Sequence, residues 1–179
     1  MTCSRSDHHE AKELEIVGKI GEKISFRRFN IVTIDQSKER IYSYIHSNGK
    51  IGVLVLLSTE KSDLLDAQSL ADLGKDLAMQ VAASRPMAVA REQVPEDIVS
   101  KEKEIYLSQV QSSGKPEKIW DKIVAGKLNK YLNQVVLLEQ QFIKDTDISV
   151  ADRIKQVEKE NETSVTVVSF IRFELGAEE

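Results

Sequence analysis

The dipeptide Asn48-Gly49, placed between two runs of β-branched and aromatic residues, constrains the fold of this chain more than any other local feature. The runs are ERIYSYIHS at residues 39–47 and KIGVLVLLSTE at residues 50–60. Asn and Gly tolerate the positive φ angles that a type I′ turn requires at both central positions, so the pattern predicts a β-hairpin. A similar run, KISFRRFNIVTID at residues 23–35, precedes the hairpin and extends the prediction to a three-stranded meander.

A helix is predicted to follow the meander, from about Ala67 to Ser84, because apolar residues recur there at helical spacing. The stripe expected to face the sheet consists of Leu70, Leu73, Leu77 and Val81. A second stripe, of small residues that indicate the close approach of a large group, consists of Ala71, Gly74, Ala78 and Ala82. On a helical wheel Met79 points away from the leucines and Gln80 lies at the border of their stripe. An exposed methionine beside small residues favours a protein-contact surface, which we expect to include Met79 and Ala82.

The second half of the chain predicts three further helices and one long strand. Pro95 and Pro116 suit the first turns of two helices, which together predict a helical hairpin over about residues 96–132. Residues 149–160 predict a short amphipathic helix that begins with a capping box. The run SVTVVSFIRFELG at residues 164–176 predicts a strand that completes a second sheet. Strict alternation places on one face of this strand Val165, Val167, Ile171, Phe173 and Leu175.

This order of helices and strands defines an α+β fold class. Residues 1–14 are expected to form a flexible tail. We expect a first α+β subdomain at residues 15–86 and a second α+β subdomain, which contains the helical hairpin, at residues 87–179.

Composition excludes several classes of partner. The formal net charge is −4, from 25 basic and 29 acidic residues mixed along the chain, so no direct binding of nucleic acid is expected. The single cysteine, Cys3, cannot form an internal disulfide, and no apolar run approaches the ~18 residues that a membrane helix needs. These features predict a protein of the cytoplasm that does not bind membranes.

Neither catalytic chemistry nor a cofactor site is indicated by any motif. A phosphate-binding loop would need a glycine-rich turn that ends in Gly-Lys-Ser/Thr, and no such turn occurs. Outside the N-terminal segment the only histidine is His46, which is expected on a solvated hairpin edge, so no nucleophile triad is predicted. The segment itself holds Cys3, His8, His9 and Glu10, which could meet on a metal. With only one thiol and no second spaced pair, a solvated terminus is favoured and no metal is expected.

Five fragments of the sequence resemble, in order, segments of bacterial translation elongation factor Ts. They are IGEKISFRR at residues 20–28, GKIGVLV at 49–55, AMQVAASRP at 78–86, SGKP at 113–116 and FIRFELG at 170–176. One such fragment would carry little weight, whereas five in register are specific. The resemblance covers about residues 14–176.

The resemblance implies a fold, a function and a site. The fold is two α+β subdomains, each a three-stranded antiparallel sheet with helices, and a helical excursion from the second. The family binds elongation factor Tu, deforms its nucleotide and magnesium site and speeds the release of GDP, without covalent chemistry of its own. Its contacts with the GTPase include an Ile-Gly pair on a strand and a histidine in a helix. These positions correspond here to Ile51, Gly52 and Gln80.

The sequence departs from the family pattern at two places. Gln80 replaces the helix histidine, and it keeps a donor and an acceptor but cannot carry charge. The small N-terminal helical domain and the Thr-Asp-Phe-Val motif of the family are both missing. The chain is therefore expected to be a core fragment, a shortened natural form, or a relative that binds without efficient exchange. The alternative to an exchange factor is a binding or oligomerisation module of the same fold, in which the chain associates with itself.

Overall fold

The structure is a computed structural model that describes residues 5–23, 29–47 and 49–177. Its helices are α1 (Arg5–Ile20), α2 (Gln68–Ser84), α3 (Glu96–Gln111), α4 (Trp120–Val135) and α5 (Val150–Asn161). Its strands are β1 (Glu39–Ile45), β2 (Ile51–Thr59), β3 (Gln141–Phe142), β4 (Asp145–Ser149) and β5 (Val165–Glu174). The chain divides into two units, Met1–Thr33 and Ile34–Glu179. Helices and antiparallel sheets together confirm the α+β class.

The first unit contains α1, where a flexible tail was expected over residues 1–14. The described part of that segment is helical from Arg5 to Ile20, and its flexibility stays a prediction. Its Glu, Lys, Ala and Leu residues have high helix propensity, and Lys19 forms an ion pair with Glu15 one turn away at 2.5 Å. The helix ends at Ile20 and is followed by Gly21, whose φ of 74° is left-handed, as is common for the residue after a helix.

The predicted strand at residues 23–35 is not found among the described residues. Residues 24–28 lie outside the described part of the chain, and residues 29–35 belong to no strand. The Asp35 carboxylate accepts hydrogen bonds from the main-chain nitrogen and the hydroxyl of Ser37 at 3.0 and 2.6 Å, which closes a turn before β1. Alternation of side chains alone does not supply a strand with a hydrogen-bonding partner.

The predicted hairpin is confirmed, with a longer connection than expected. Strands β1 and β2 are antiparallel, and Ile45 is opposite Gly52. The main-chain nitrogen of His46 donates to the carbonyl of Ile51 at 2.9 Å, so the loop exceeds the two residues of a type I′ turn. Gly49 has φ of 68°, which a residue without Cβ adopts readily. Asn48 lies outside the described residues.

The third strand of this sheet is β5, and the strand order is β1-β2-β5. The strand expected to complete a second sheet thus completes the first one. Leu57 pairs with Val167 while Leu56 pairs with Ser169, so Val168 is a bulge residue. The bulge reverses the faces of the strand beyond it, and the predicted strict alternation is wrong there. Phe170 therefore packs against the main core on the same side as Val167.

The buried core draws on both halves of the chain. It includes residues of β2, α2, β3, α5 and β5, so it crosses the subdomain boundary that was expected between residues 86 and 87. The described residues contain a two-stranded sheet, β3-β4, in place of a second three-stranded sheet. The predicted leucine stripe of α2 is confirmed, because all four residues are fully buried: Leu70, Leu73, Leu77 and Val81. Helices α3 and α4 pack together as the expected helical hairpin.

Candidate partner-binding site

Two of the predicted site residues, Ile51 and Gly52, begin strand β2. Ile51 is opposite Glu174 on β5, and Gly52 is opposite Phe173. Successive residues of a strand point to opposite faces, so Ile51 lies on the side of α2, where it packs at the edge of the main core, and Gly52 lies on the other side. Both residues are partly accessible.

No contact among the described residues requires a glycine at position 52. A Cβ atom added there would meet no atom within 4 Å, and its φ is not in the left-handed region. Glycine within a strand weakens the strand and often marks a place where another backbone approaches closely. The space around position 52, near the start of β2, is therefore open.

A charge cluster lies beside Ile51 on the α2 side of the sheet. The Glu174 carboxylate accepts from Arg85 Nη2 and from Arg172 Nη1, both at 2.9 Å. Arg172 Nη2 also donates to the carbonyl of Ala82 at 3.5 Å, which ties β5 to the end of α2. The buried Nε of Arg172 has no hydrogen-bond partner. The carboxylate of Glu174 therefore supplies most of the interaction that offsets the free-energy cost of burying this guanidinium.

This cluster was not predicted from the sequence. A signal for it was present, because Arg172 and Glu174 are two residues apart within an apolar strand, which places both charges on one face. Arg85 has φ of 48°, an unusual conformation for a residue with a side chain. Its ion pair with Glu174 helps to hold that conformation after the end of α2.

The cluster predicts a specific pH dependence of stability. The hydrogen bond from Arg172, together with the charge of Arg85, holds the pKa of Glu174 below its ordinary value of 4.5. A carboxylate with a lowered folded-state pKa stabilises the fold fully above its unfolded pKa, and the contribution is lost as pH falls through the folded pKa. We therefore expect the melting temperature of Glu174→Gln to fall less than that of the wild type between about pH 5 and about pH 3. Thermal unfolding followed by circular dichroism measures this difference, with the exposed Glu160→Gln on α5 as control; identical slopes for all three proteins would contradict it.

The predicted surface on α2 is more buried than expected. Gln80 is fully buried and Ala82 nearly so, and Met79, which was expected to be exposed, is partly buried. The large group that the small stripe indicated is the ring of Tyr42 on β1. A Cβ atom added at Gly74 would lie 2.2 Å from Cγ and Cδ2 of that ring. The helical wheel predicted Gln80 at the border of the buried face. In the structure Gln80 is buried because the segment after α4 also covers that side of α2.

Gln80 is the centre of a buried hydrogen-bond network. Its Nε2 donates to Gln140 Oε1 and to the carbonyl of Gln141, each at 3.1 Å, and reaches Ser84 Oγ at 3.0 Å. Its Oε1 accepts from the main-chain nitrogen of Ile143 at 2.8 Å. A neutral amide can satisfy donors and acceptors at once, so this side chain fastens α2 to the segment around β3.

An open polar cleft of about 560 Å³ adjoins this network, and Lys130, Asn133 and Glu139 are among its lining residues. Arg91 holds both carboxylate oxygens of Glu139, and this contact raises the pKa of Arg91 above its ordinary value. A bidentate pair of this kind fixes the loop before α3 against the segment that follows α4.

Two other kinds of site are absent from the described residues. No cluster of three or more histidine, cysteine, aspartate or glutamate side chains in this part of the chain is arranged to hold a metal ion. Cys3 and the side chains of His8, His9 and Glu10 lie outside it. Within the same residues, no helix has the length and the apolar character needed to span a bilayer.

The fold and the site together define an α+β module whose accessible apolar and charged side chains suit contact with another protein. The family model described as Elongation factor TS matches residues 1–177. The chain is 43% identical over 161 residues to Elongation factor Ts of Chlorobium chlorochromatii, which covers 90% of the chain and 54% of that protein. It is 44% identical over 160 residues to Elongation factor Ts of Syntrophotalea carbinolica, which covers 89% of the chain and 51% of that protein.

Elongation factor Ts of Clostridium botulinum is similar to the same extent, at 42% identity over 162 residues, with 90% of the chain and 51% of that protein covered. The chain belongs to the elongation factor Ts family. It spans about half the length of the curated relatives that it matches.

Proposed function

We propose that this chain is the core of a translation elongation factor that binds elongation factor Tu in the cytoplasm and promotes release of GDP from it. Family membership supports the role. The main support for the proposed site is the glycine at position 52, because no contact within the described structure requires a glycine there. A partner backbone that packs against the start of β2 would supply that reason.

The proposed activity is a difference in binding energy and involves no covalent step. A protein that binds the nucleotide-free GTPase more tightly than the GDP-bound form lowers the affinity of the GTPase for GDP by the same factor. Ile51, on the rigid central strand β2, presents a partly accessible apolar side chain beside the charges of Arg85 and Glu174. Rigid side chains on a sheet lose little conformational entropy when they bind.

Ile51→Arg is expected to weaken binding to GDP-loaded elongation factor Tu by at least about tenfold and to slow GDP release correspondingly. The introduced guanidinium would lie beside Arg85 and Arg172, and the substitution would remove the apolar contact made by Ile51. Release of a fluorescent GDP analogue and calorimetric titration measure the two effects.

Two further variants make this experiment decisive. The Cβ atom of Gly52→Val would meet no atom within 4 Å and valine favours a strand, so this variant should reduce binding while the melting temperature stays the same or rises. Ile105→Arg, at an isoleucine of α3 that is 49% exposed, serves as the control and should bind like the wild type. Full affinity in both Ile51→Arg and Gly52→Val would refute the proposed site.

The alternative is a binding or oligomerisation module without efficient exchange activity. The observation in its favour is the face of the sheet that points away from α2, where Leu54 and Ile45 are 37% and 73% exposed. Exposed apolar side chains on one sheet face suit association with a second copy of the chain. The alternative predicts a stable complex or a dimer, with an unchanged rate of GDP release in the experiment above.

A further inference from the structure

Arg85 has a backbone conformation that suits glycine better than arginine. It follows the last residue of α2 with φ of 48° and ψ of 55°, in the left-handed region. The residue at this place after a helix is commonly glycine, because a Cβ atom is disfavoured in that region. Among the described residues the Arg85 guanidinium makes one ion pair, at 2.9 Å from Glu174, and the side chain is 64% exposed. An exposed ion pair stabilises a fold very little, so the fold alone does not account for an arginine at position 85.

The charge cluster of Arg85, Arg172 and Glu174 carries one more positive charge than negative charge. Its two guanidiniums share a single carboxylate, and each carboxylate oxygen accepts one hydrogen bond. A guanidinium has five N–H donors, and within the described part of the chain Arg85 uses one of them. The cluster is therefore a basic position, with accessible donors, in a chain whose formal net charge is −4.

This basic position adjoins the proposed binding surface. Glu174 is opposite Ile51 in the pairing of β5 with β2, and the side chains of directly opposite residues lie next to each other on one face of a sheet. Arginine is enriched in protein interfaces, where its charge borders an apolar centre. We propose that Arg85 binds an acidic side chain of the GTPase partner, next to the apolar contact made by Ile51. The inference rests on the proposed function, because the partner is the one proposed there.

The charge of the cluster indicates which group it would bind. One carboxylate would bring the three side chains to neutrality, and its two oxygens match the planar fork of a guanidinium. A phosphate group carries about two negative charges at neutral pH, so it would leave an excess of negative charge beside the carboxylate of Glu174. The cluster therefore fits an aspartate or a glutamate of a protein better than it fits a phosphate group.

Arg85→Gly separates the stability of the fold from the binding of the partner. Glycine suits the left-handed backbone, so the melting temperature should stay the same or rise, although the ion pair with Glu174 is lost. The dissociation constant for GDP-loaded elongation factor Tu should rise about fivefold, because the acidic side chain of the partner loses a charged hydrogen-bond donor. Calorimetric titration and thermal unfolding followed by circular dichroism measure the two effects.

Glu162→Gly is the matched control for the change of backbone. Glu162 follows the last residue of α5 with φ of 51°, and α5 precedes the end of β5 opposite to the one that carries Glu174. Its melting temperature should also stay the same or rise, and its dissociation constant should equal that of the wild type. A lower melting temperature for Arg85→Gly with unchanged binding would assign the arginine to the fold and overturn the proposal.

Charge reversal and added salt test the sign of the bound group. Arg85→Glu should raise the dissociation constant at least about tenfold, because two carboxylates would then face each other. Lys159→Glu reverses an exposed charge in the last turn of α5 and should stay within about twofold of the wild type. An increase of ionic strength from about 0.05 to about 0.3 M should weaken binding of the wild type more than binding of Arg85→Gly, because salt screens exposed charges. Equal salt dependence in these two proteins would contradict an acidic contact.

The possible failures can be told apart. If the wild-type chain neither binds the GTPase nor speeds GDP release, the proposed function fails and this inference fails with it. If Ile51→Arg weakens binding while Arg85→Gly and Arg85→Glu bind like the wild type, the acidic contact is refuted and the proposed function stands.

Discussion

Replacement of Gly74 by alanine is expected to lower the free energy of unfolding by about 3 kcal/mol. The added Cβ atom would lie 2.2 Å from Cγ and 2.8 Å from Cβ of Tyr42. These atoms are close to the backbone of β1, so a rotation of the ring cannot clear them, and α2 must move away from the sheet. Alanine favours a helix over glycine by about 1 kcal/mol, which offsets only part of the effect. Urea denaturation followed by circular dichroism measures the change.

Gly126 provides a matched control within α4. A Cβ atom added there would meet nothing within 4 Å, so Gly126→Ala should raise the free energy of unfolding by about 0.5–1 kcal/mol. The double variant Gly74→Ala/Tyr42→Ala should be less destabilised than the sum of its two single variants, because removal of the ring removes the clash. Strictly additive effects would mean that Tyr42 is not the group that excludes a side chain at position 74.

Replacement of Gln80 by leucine is also expected to lower the free energy of unfolding by about 3 kcal/mol. Leucine has a similar volume, so the effect comes from lost hydrogen bonds rather than from a cavity. The nitrogen of Ile143, the carbonyl of Gln141 and the side chain of Gln140 would each lose a partner at a distance of 2.8–3.1 Å. A buried polar group without a partner costs about 1–3 kcal/mol, and some of these groups can regain water from the adjoining cleft.

Gln156→Leu, on the exposed side of α5, is the control for the same chemical change and should stay within about 0.5 kcal/mol of the wild type. Hydrogen exchange at the amide of Ile143 provides a second measurement, because this amide donates directly to Gln80. Unchanged exchange at Ile143 in Gln80→Leu would mean that another group protects it.

Features with a local cause were predictable from the sequence. The leucine stripe of α2 was predicted because the period of a helix determines which residues are buried together. The hairpin of β1 and β2 was predicted because Asn48-Gly49 limits the backbone of the loop. The capping box of α5 was predicted in the same way. In the structure Ser149 Oγ accepts from the main-chain nitrogen of Asp152 at 3.1 Å, and Asp152 Oδ2 accepts from the main-chain nitrogen of Ser149 at 3.2 Å.

Features that depend on distant pairing were not predictable. The burial of Gln80 depends on the backbone of Ile143, which is 63 residues away along the chain. The bulge at Val168 depends on its pairing with β2, and a run of alternating residues contains no sign of it. Ile51 and Gly52 were predicted as site residues from the family resemblance and not from any periodicity. Both are partly accessible, so the predicted site can be tested by substitution.

The place of β5 in the sheet has a consequence for biosynthesis. Thr59 and Thr163 are 104 residues apart in sequence, yet their hydroxyl oxygens lie 3.4 Å apart where β2 and β5 meet. During synthesis β2 leaves the ribosome long before β5, and its second edge stays unpaired through the intervening residues, which take about 5–20 s at typical elongation rates of about 5–20 residues per second. Ile51 gains its neighbour Glu174 only when β5 is added. The proposed binding surface around Ile51 is therefore completed only after the residues between β2 and β5 have been synthesised.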